Sequence, residues 1–244
     1  MKLLGIEIWR TDRETVRAWV QDCLEGDTLA RLTFANAHTL NLYHRSATDD
    51  WLGGFVVLPD GVGVDLAARM RGGSLENLNG TDFVPWLLAN PPRPISVFLY
   101  GDTAATNAAA VDHVRATYPQ VTVVGAIDGF VDEADAIAEI LAAPPFDILL
   151  VATGQPKQEK FLRGYGDKLN GHTHIGIGVG ALFAFMAGRV SRAPKLVRVL
   201  RCEWIWRLAL EPRRLFSRYV VGNVTFLWRA ARSARTERHS PENE

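Results

Sequence analysis

The chain has 244 residues, 48% of them hydrophobic, which is enough for one large domain or a domain with an appendage. Its formal net charge is zero, from 27 basic and 27 acidic residues. Two cysteines, Cys23 and Cys202, supply neither a disulfide framework nor a metal cluster, and no uncharged run offers the roughly 20 apolar residues of a membrane span.

Leu3 to Trp9 is predicted as a short strand. Met1 to Ile8 is too short, and too soon interrupted by Glu7, for a signal peptide, so a reducing cytoplasm is expected. Thr11 to Leu24 follows as an amphipathic helix with Val16, Trp19, Val20 and Leu24 on one side. Leu29 to Ala35 is a second strand, and Asn36-Ala37-His38-Thr39 stands where it gives way to a helix. Polar residues there are ligand contacts in many α/β folds, with a self-satisfied turn as the alternative for Asn36 and His38. Val56 to Leu58 reads as the end of a buried strand, Pro59-Asp60-Gly61 as a turn, and Val62 to Met70 as a helix with Asp60 at its N-cap. An aspartate so placed is either a cap or a general base beside a cleft. Asp65, five residues on, is a second candidate base.

From Ile95 onward strand and helix patterns alternate, which predicts βαβ units and a mostly parallel, covered sheet. Strands are expected at 95–100, 121–125, 147–152 and 173–179, and helices at 103–117, 131–141, from Lys160, and at 181–186, with Gly101-Asp102 as a turn and cap. Glycines at 101, 125, 154 and 180 fall in the turns that end these strands. Glycine lets a ligand approach the backbone, and a following helix offers N–H groups suited to phosphate. A nucleotide cleft at the carboxyl edge of the sheet is therefore expected. No G-x-G-x-x-G follows the first strand and no P-loop occurs, which disfavours a dehydrogenase or a P-loop nucleotidase. In Gln155-Pro156-Lys157-Gln158-Glu159, two amides suit a base or sugar and Lys157 suits a phosphate, with a solvated turn as the alternative.

Between Arg189 and Arg232 stand eleven basic residues against two acidic ones, a surplus of nine that the rest of the chain balances. Such segregation suggests an anionic partner for that segment. Lys195 to Leu210 is predicted as a helix, Glu211-Pro212 breaks it, and Arg213 to Arg232 begins another. On that second helix Arg214, Arg218, Thr225, Arg229 and Arg232 share one face, with Phe216, Val220, Val224, Leu227 and Ala231 nearly opposite. A basic amphipathic helix either lies on an anionic membrane or packs its apolar face on the body. Ser233 to Glu244 is expected to be a disordered tail. The organisation expected is a core at 1–190, an appendage at 191–232 and a tail at 233–244.

Taken together, Asn36-Ala37-His38-Thr39, Pro59-Asp60-Gly61-Val62-Gly63, Asn79-Gly80-Thr81-Asp82, Pro156-Lys157-Gln158-Glu159, Gly178-Val179-Gly180, and Arg192-Ala193-Pro194 with Glu203-Trp204 and Glu211-Pro212 resemble the WecG/TagA/CpsF glycosyltransferases of bacterial surface-polysaccharide assembly. The resemblance runs from Leu4 to about Arg232. It implies a Rossmann-like α/β core with a basic helical appendage, and inverting transfer from a UDP-sugar to a polyprenyl-diphosphate-linked acceptor. It also implies a cytoplasmic protein, peripheral on the inner membrane face, with no cofactor and no metal; the chain contains no D-x-D, in keeping with the last point. Carried over by motif, Asp60 is the base, Asn36 a substrate-binding asparagine beside it, and Gln158 a glutamine near the nucleotide sugar. His38, Asn79, Thr81, Asp82, Gln155, Lys157 and Gly180 complete the substrate-binding set expected of the core. Arg207, Arg214 and Arg218 are the cations expected at the diphosphate. Partners are then the donor, the lipid-linked acceptor and an anionic membrane surface; nucleic acid is not expected, and a homo-oligomer is left open. Phe34, Asn77 and Ala184 stand where the family has threonine, arginine and aspartate, which bears on which sugar and acceptor are used. The rival class is a non-catalytic nucleotide- or membrane-binding protein of the same fold.

Overall fold

Along β5 (Ile95–Gly101), Val97 and Leu99 face one core while Phe98 and Tyr100 face another, the period-two alternation of a strand covered on both sides. The same split recurs in β7 (Phe146–Ala152), where Ile148 and Leu150 oppose Leu149 and Val151, and all seven residues are buried. The computed structural model, which describes residues 1–46, 49–190, 194, 203–210, 212–216 and 220–238, places these strands side by side in the interior of a six-stranded parallel sheet. Its other strands are β3 (Ala30–Ala35), β4 (Val56–Pro59), β6 (Val121–Ile127) and β8 (Thr173–Gly178), in the order β4-β3-β8-β7-β5-β6. The arrangement is Rossmann-like.

One face carries α1 (Arg13–Glu25), α4 (Gly80–Ala89), α5 (Ala104–Thr117) and α9 (Leu182–Met186). The other carries α6 (Glu133–Ala142), α7 (Lys157–Gly164) and α8 (Gly166–Leu169), with the Tyr100 and Phe161 rings 4.8 Å apart between sheet and helix. A third core lies beside β3 and β4, beneath α2 (Ala37–Arg45) and α3 (Val62–Arg69).

Several expectations are corrected. The single strand at 3–9 is a hairpin of β1 (Lys2–Leu3) and β2 (Ile6–Glu7), turned by Leu4 and Gly5 in the left-handed region, at φ 47° and 94°. Gly125 does not end its strand: β6 continues to Ile127, and the glycine makes room for the Phe98 ring. Thr103, not Asp102, caps α5, accepting from the Thr106 N–H.

The C-terminal helices are α10 (Glu203–Leu210), α11 (Pro212–Phe216) and α12 (Gly222–Arg238). The first half of the helix expected at 195–210 lies outside the described residues. The face read as apolar on α12 packs only in part, through Leu227, and the fully buried residues lie beside it. Phe226, Ala230 and Ala234 are buried against α2 and α3, whereas Val224 and Trp228 are exposed. The Phe226 ring has Ala37 and Gly63 beside it, small residues in the first turns of α2 and α3. Buried Asn41 donates to the Gly222 carbonyl at 2.7 Å and accepts from Arg229, which thereby leaves the solvent face assigned to it. Arg71 reaches Ser233 at 2.8 Å, and the helix runs through Arg238, so no tail begins at Ser233.

Candidate active site

Five of the six strands end at Ala35, Pro59, Gly101, Ala152 and Gly178, and the residue directly after each of these lines one cavity of about 470 Å³. Asn36, Asp60, Asp102, Thr153 and Val179 thus meet at the carboxyl edge, where open α/β sheets bind ligands. The volume falls within the roughly 300–1,000 Å³ typical of small-molecule sites.

Asp60 is held by its backbone, its N–H donating to the Ala35 carbonyl at 3.0 Å and tying the ends of β3 and β4 together. The cap it was expected to supply is absent. Gly61, at φ 90°, occupies the N-cap of α3, which has no side-chain cap bond, and this glycine turn sets Asp60 one residue ahead of the helix. The Asp60 carboxylate instead accepts from Asn36 Nδ2 at 3.2 Å. Asn77 Oδ1 accepts the Gly61 N–H at 2.7 Å, so this departure from the family pattern holds the turn that carries the candidate base.

Asn36 caps α2. Its Oδ1 accepts from the backbone N–H groups of His38 at 3.0 Å and Thr39 at 3.2 Å. Because both donors are backbone, the amide has one orientation, and Nδ2 is the end presented to Asp60. Across the cavity floor, Gln155 Nε2 donates to the Phe34 carbonyl at 2.9 Å and to Glu159 at 3.2 Å, while its Oε1 accepts from Thr39 at 2.6 Å. Gln158 donates to Glu159 at 2.8 Å and accepts the Gly180 N–H at 3.0 Å, so that glycine's N–H is engaged by protein. Glu159 is fully buried, and burial pushes its carboxyl above the usual range, opposed by hydrogen bonds from Thr33, Gln158 and Gln155.

Of the expected site residues, Asn36, His38, Asp60 and Gln155 line the cavity together. Asn79, Thr81, Gln158 and Gly180 line it too. Asn79 is also the cap of α4, accepting from the Asp82 N–H and the Thr81 hydroxyl. Asp82, which pairs back to Asn79, and exposed Lys157 are not among the lining residues. Arg207 and Arg214 lie on α10 and α11 with side chains outside what is described, and Arg218 lies outside the described residues altogether. Asp65 is buried between Arg69 and the Leu75 N–H, away from the cavity lining. Among the described residues no three His, Cys, Asp or Glu side chains are grouped to hold a metal ion.

Two lining residues were not among the expected site residues. Asp102 stands at φ 57° after β5, and Asn223 reaches the cavity from the first turn of α12. The Asn223 position becomes visible only once Phe226, three residues on and on the same helix face, is known to pack between α2 and α3. Phe34 packs on Phe83, centroids 6.2 Å apart, and lies so close to Gly80 that a Cβ there would stand 2.8 Å from its ring. Ala184 is on α9 and does not line the cavity.

Comparison with known proteins gives a family and, among its relatives, two proteins of one name. The model of the glycosyl transferase WecG/TagA/CpsF family matches residues 1–240. An N-acetylglucosaminyldiphosphoundecaprenol N-acetyl-beta-D-mannosaminyltransferase from Bacillus subtilis (strain 168) is 34% identical over 161 residues, 65% of this chain and 62% of that protein. A protein of the same name from Bacillus spizizenii (strain ATCC 23059 / NRRL B-14472 / W23) is 31% identical over 160 residues, again 65% and 62%. The similarity thus spans somewhat less than two thirds of the length of either relative.

Proposed function

The chain belongs to the WecG/TagA/CpsF glycosyltransferase family, and we propose that it transfers a sugar from a UDP-sugar to a polyprenyl-diphosphate-linked glycan acceptor, with inversion and without a divalent metal. The observation that carries this reading is the Asp60 carboxylate, set on the cavity wall by the β4 turn and engaged by the Asn36 amide. In a single in-line displacement, an acceptor hydroxyl gives its proton to Asp60, and its oxygen forms a bond to the anomeric carbon. The bond from that carbon to the diphosphate breaks and UDP leaves. The relatives' names make N-acetylmannosamine the first sugar to try, on an N-acetylglucosaminyl-diphospho-lipid acceptor.

The lipid on such an acceptor implies work at the inner face of the cell membrane. No described helix is long and apolar enough to cross a membrane. A peripheral footing is supported by exposed apolar side chains at the cavity rim. Val62 and Asn223 both line the cavity, and from them the exposed surface continues along α3 to Leu66 and along α12 to Val224 and Trp228. The arginine surplus of 189–232 suits an anionic surface and the diphosphate alike.

Asp60→Asn tests the reading. It keeps the shape and removes the base, so UDP release should fall by about 10²-fold or more. Turnover near the wild-type rate would sink the assignment.

A further inference from the structure

We infer that Glu159 is a positioning residue for the reaction: its Oε1 fixes the amide of Gln158 directly and, through Gln155, Thr39 and Asn36, fixes where the Asp60 carboxylate stands. The inference rests on reading Asp60 as the base. It follows from the polarity of one hydrogen-bonded path.

Glu159 lies in the first turn of α7 beneath the cavity floor, with 0% of its surface exposed. Its Oε1 gathers three donors: Thr33 Oγ1 at 2.7 Å, Gln158 Nε2 at 2.8 Å and Gln155 Nε2 at 3.2 Å. Its Oε2 is buried and has no hydrogen-bond partner among the described residues. A buried polar oxygen left bare is costly, so packing alone gives no reason to place a carboxyl here.

With Nε2 drawn to Glu159, Gln158 must turn its Oε1 to the Gly180 N–H; the flipped amide would set oxygen against oxygen and N–H against N–H. Gln155 spends both Nε2 protons, one on the Phe34 carbonyl and one on Glu159, which leaves Oε1 as an acceptor. Thr39 has one hydroxyl proton, and the 2.6 Å contact to Gln155 takes it in preference to the 3.2 Å contact to Asn36 Oδ1. The Thr39 oxygen then accepts the Asn36 N–H at 3.3 Å. The last link is the Asn36 amide itself, oriented by the α2 cap and donating to Asp60. From Glu159 to Thr39 each link has a single assignment because the path begins at an oxygen that only accepts; the path meets Asn36 at its backbone N–H and so holds the α2 cap, within which the His38 and Thr39 N–H groups turn the side-chain amide to Asp60.

The test uses the full chain and four substitutions. Glu159→Met removes the acceptor, Glu159→Gln restores a carbonyl at the Oε1 position, Thr39→Val cuts the path, and Asp60→Asn reports on the base. Readouts are kcat and KM for UDP release, UDP affinity by calorimetry, and the thermal midpoint. Glu159→Met is expected to lower kcat roughly 10–100-fold, the scale of a misplacement near 1 Å. Glu159→Gln should recover at least about tenfold of that loss at a matched thermal midpoint. The Glu159→Met/Thr39→Val double variant should lose no more than about twofold beyond the worse single one, since both cut one path. Additive losses overturn the inference, as do equal defects in Glu159→Met and Glu159→Gln that simply track thermal stability. Should Glu159→Met fail to fold, Glu159→Gln and Thr39→Val decide: a kcat for Thr39→Val within about twofold of wild type rejects the path. An inactive Asp60→Asn beside a fully active Glu159→Met overturns this inference and leaves the base standing. The reverse pattern overturns the base assignment and the path to Asp60, with Glu159 then acting through Gln158 alone.

Discussion

Two buried carboxyl groups, Asp147 and Glu159, are displaced in opposite directions, and the distribution of donors over their oxygens explains why. Burial pushes Asp147 upward, but donors meet both its oxygens: Arg93 at 2.7 Å on Oδ1, and the Ser96 N–H at 2.6 Å and hydroxyl at 2.8 Å on Oδ2. These hold it below the usual carboxylate range. Glu159 has all its donors on one oxygen, and burial prevails. The signs for stability follow. The contribution of Asp147 is present at neutral pH and fades as pH falls through its lowered folded value, because the unfolded chain then binds the proton more readily. That of Glu159 is present below the ordinary carboxylate pKa of 4.5 and fades as pH rises through its raised folded value. Melting curves from about pH 3 to pH 8 should therefore show Asp147→Asn losing about 1–3 kcal/mol at neutral pH and less in acid. Glu159→Gln should gain on the wild type as pH rises. Parallel curves for wild type and variants would refute both assignments.

Helix α12 shows what the sequence reveals about an element and where that stops. The wheel reads an apolar face through Val224 and Leu227, but Phe226, Ala230 and Ala234 make another at helical spacing, so the wheel alone does not identify the buried one. The choice is made by what lies opposite: Ala37 and Gly63 leave space for Phe226, while Asn41 and Arg71 meet the helix's backbone and polar groups. The parallel sheet, by contrast, was legible from residue patterns alone, since strands like β7 are apolar at every position and helices recur between them. Asn36 and Asp60 were legible from their place after strands. The contact of Thr39 with Gln155, 116 positions apart, was not, because a pattern of local period carries no information on which side chains meet across a sheet edge. Phe226→Ala should cost about 3–5 kcal/mol, as for other fully buried aromatics, whereas exposed Val224→Ala should stay within about 0.5 kcal/mol. Chemical denaturation of the full chain measures both. Equal, small losses would show that α12 is not part of the folded body.

For the molecule as a whole, charge and shape point the same way. An acidic body carries a basic segment, and Val221 just ahead of α12, with Val224 and Trp228 on it, turn outward, exposed by 54%, 66% and 60%, with the Arg232 guanidinium 5.6 Å from the Trp228 ring. A tryptophan beside arginines suits the boundary between lipid and water. The double variant Val224→Asp/Trp228→Asp leaves the buried face of α12 untouched, so the fold should persist. Its binding to vesicles containing anionic lipid should weaken by roughly tenfold or more, from about 1.5–3 kcal/mol per apolar side chain withdrawn from the membrane. Unchanged vesicle binding would show that this surface is not a membrane contact.

The strand order also sets a timetable. Within the sheet β3 and β4 pair only with each other and with β8, through Ala30 to Leu32 against Ile175 to Ile177. On the ribosome, the segment bearing Asn36 and Asp60 emerges early and then waits while everything up to β8 is synthesised. At about 5–20 residues per second that interval is on the order of ten seconds. The half-site that pairs with no further strand until β8 arrives is thus the part of the nascent chain most in need of shelter, and it is the last to be joined to the rest of the sheet.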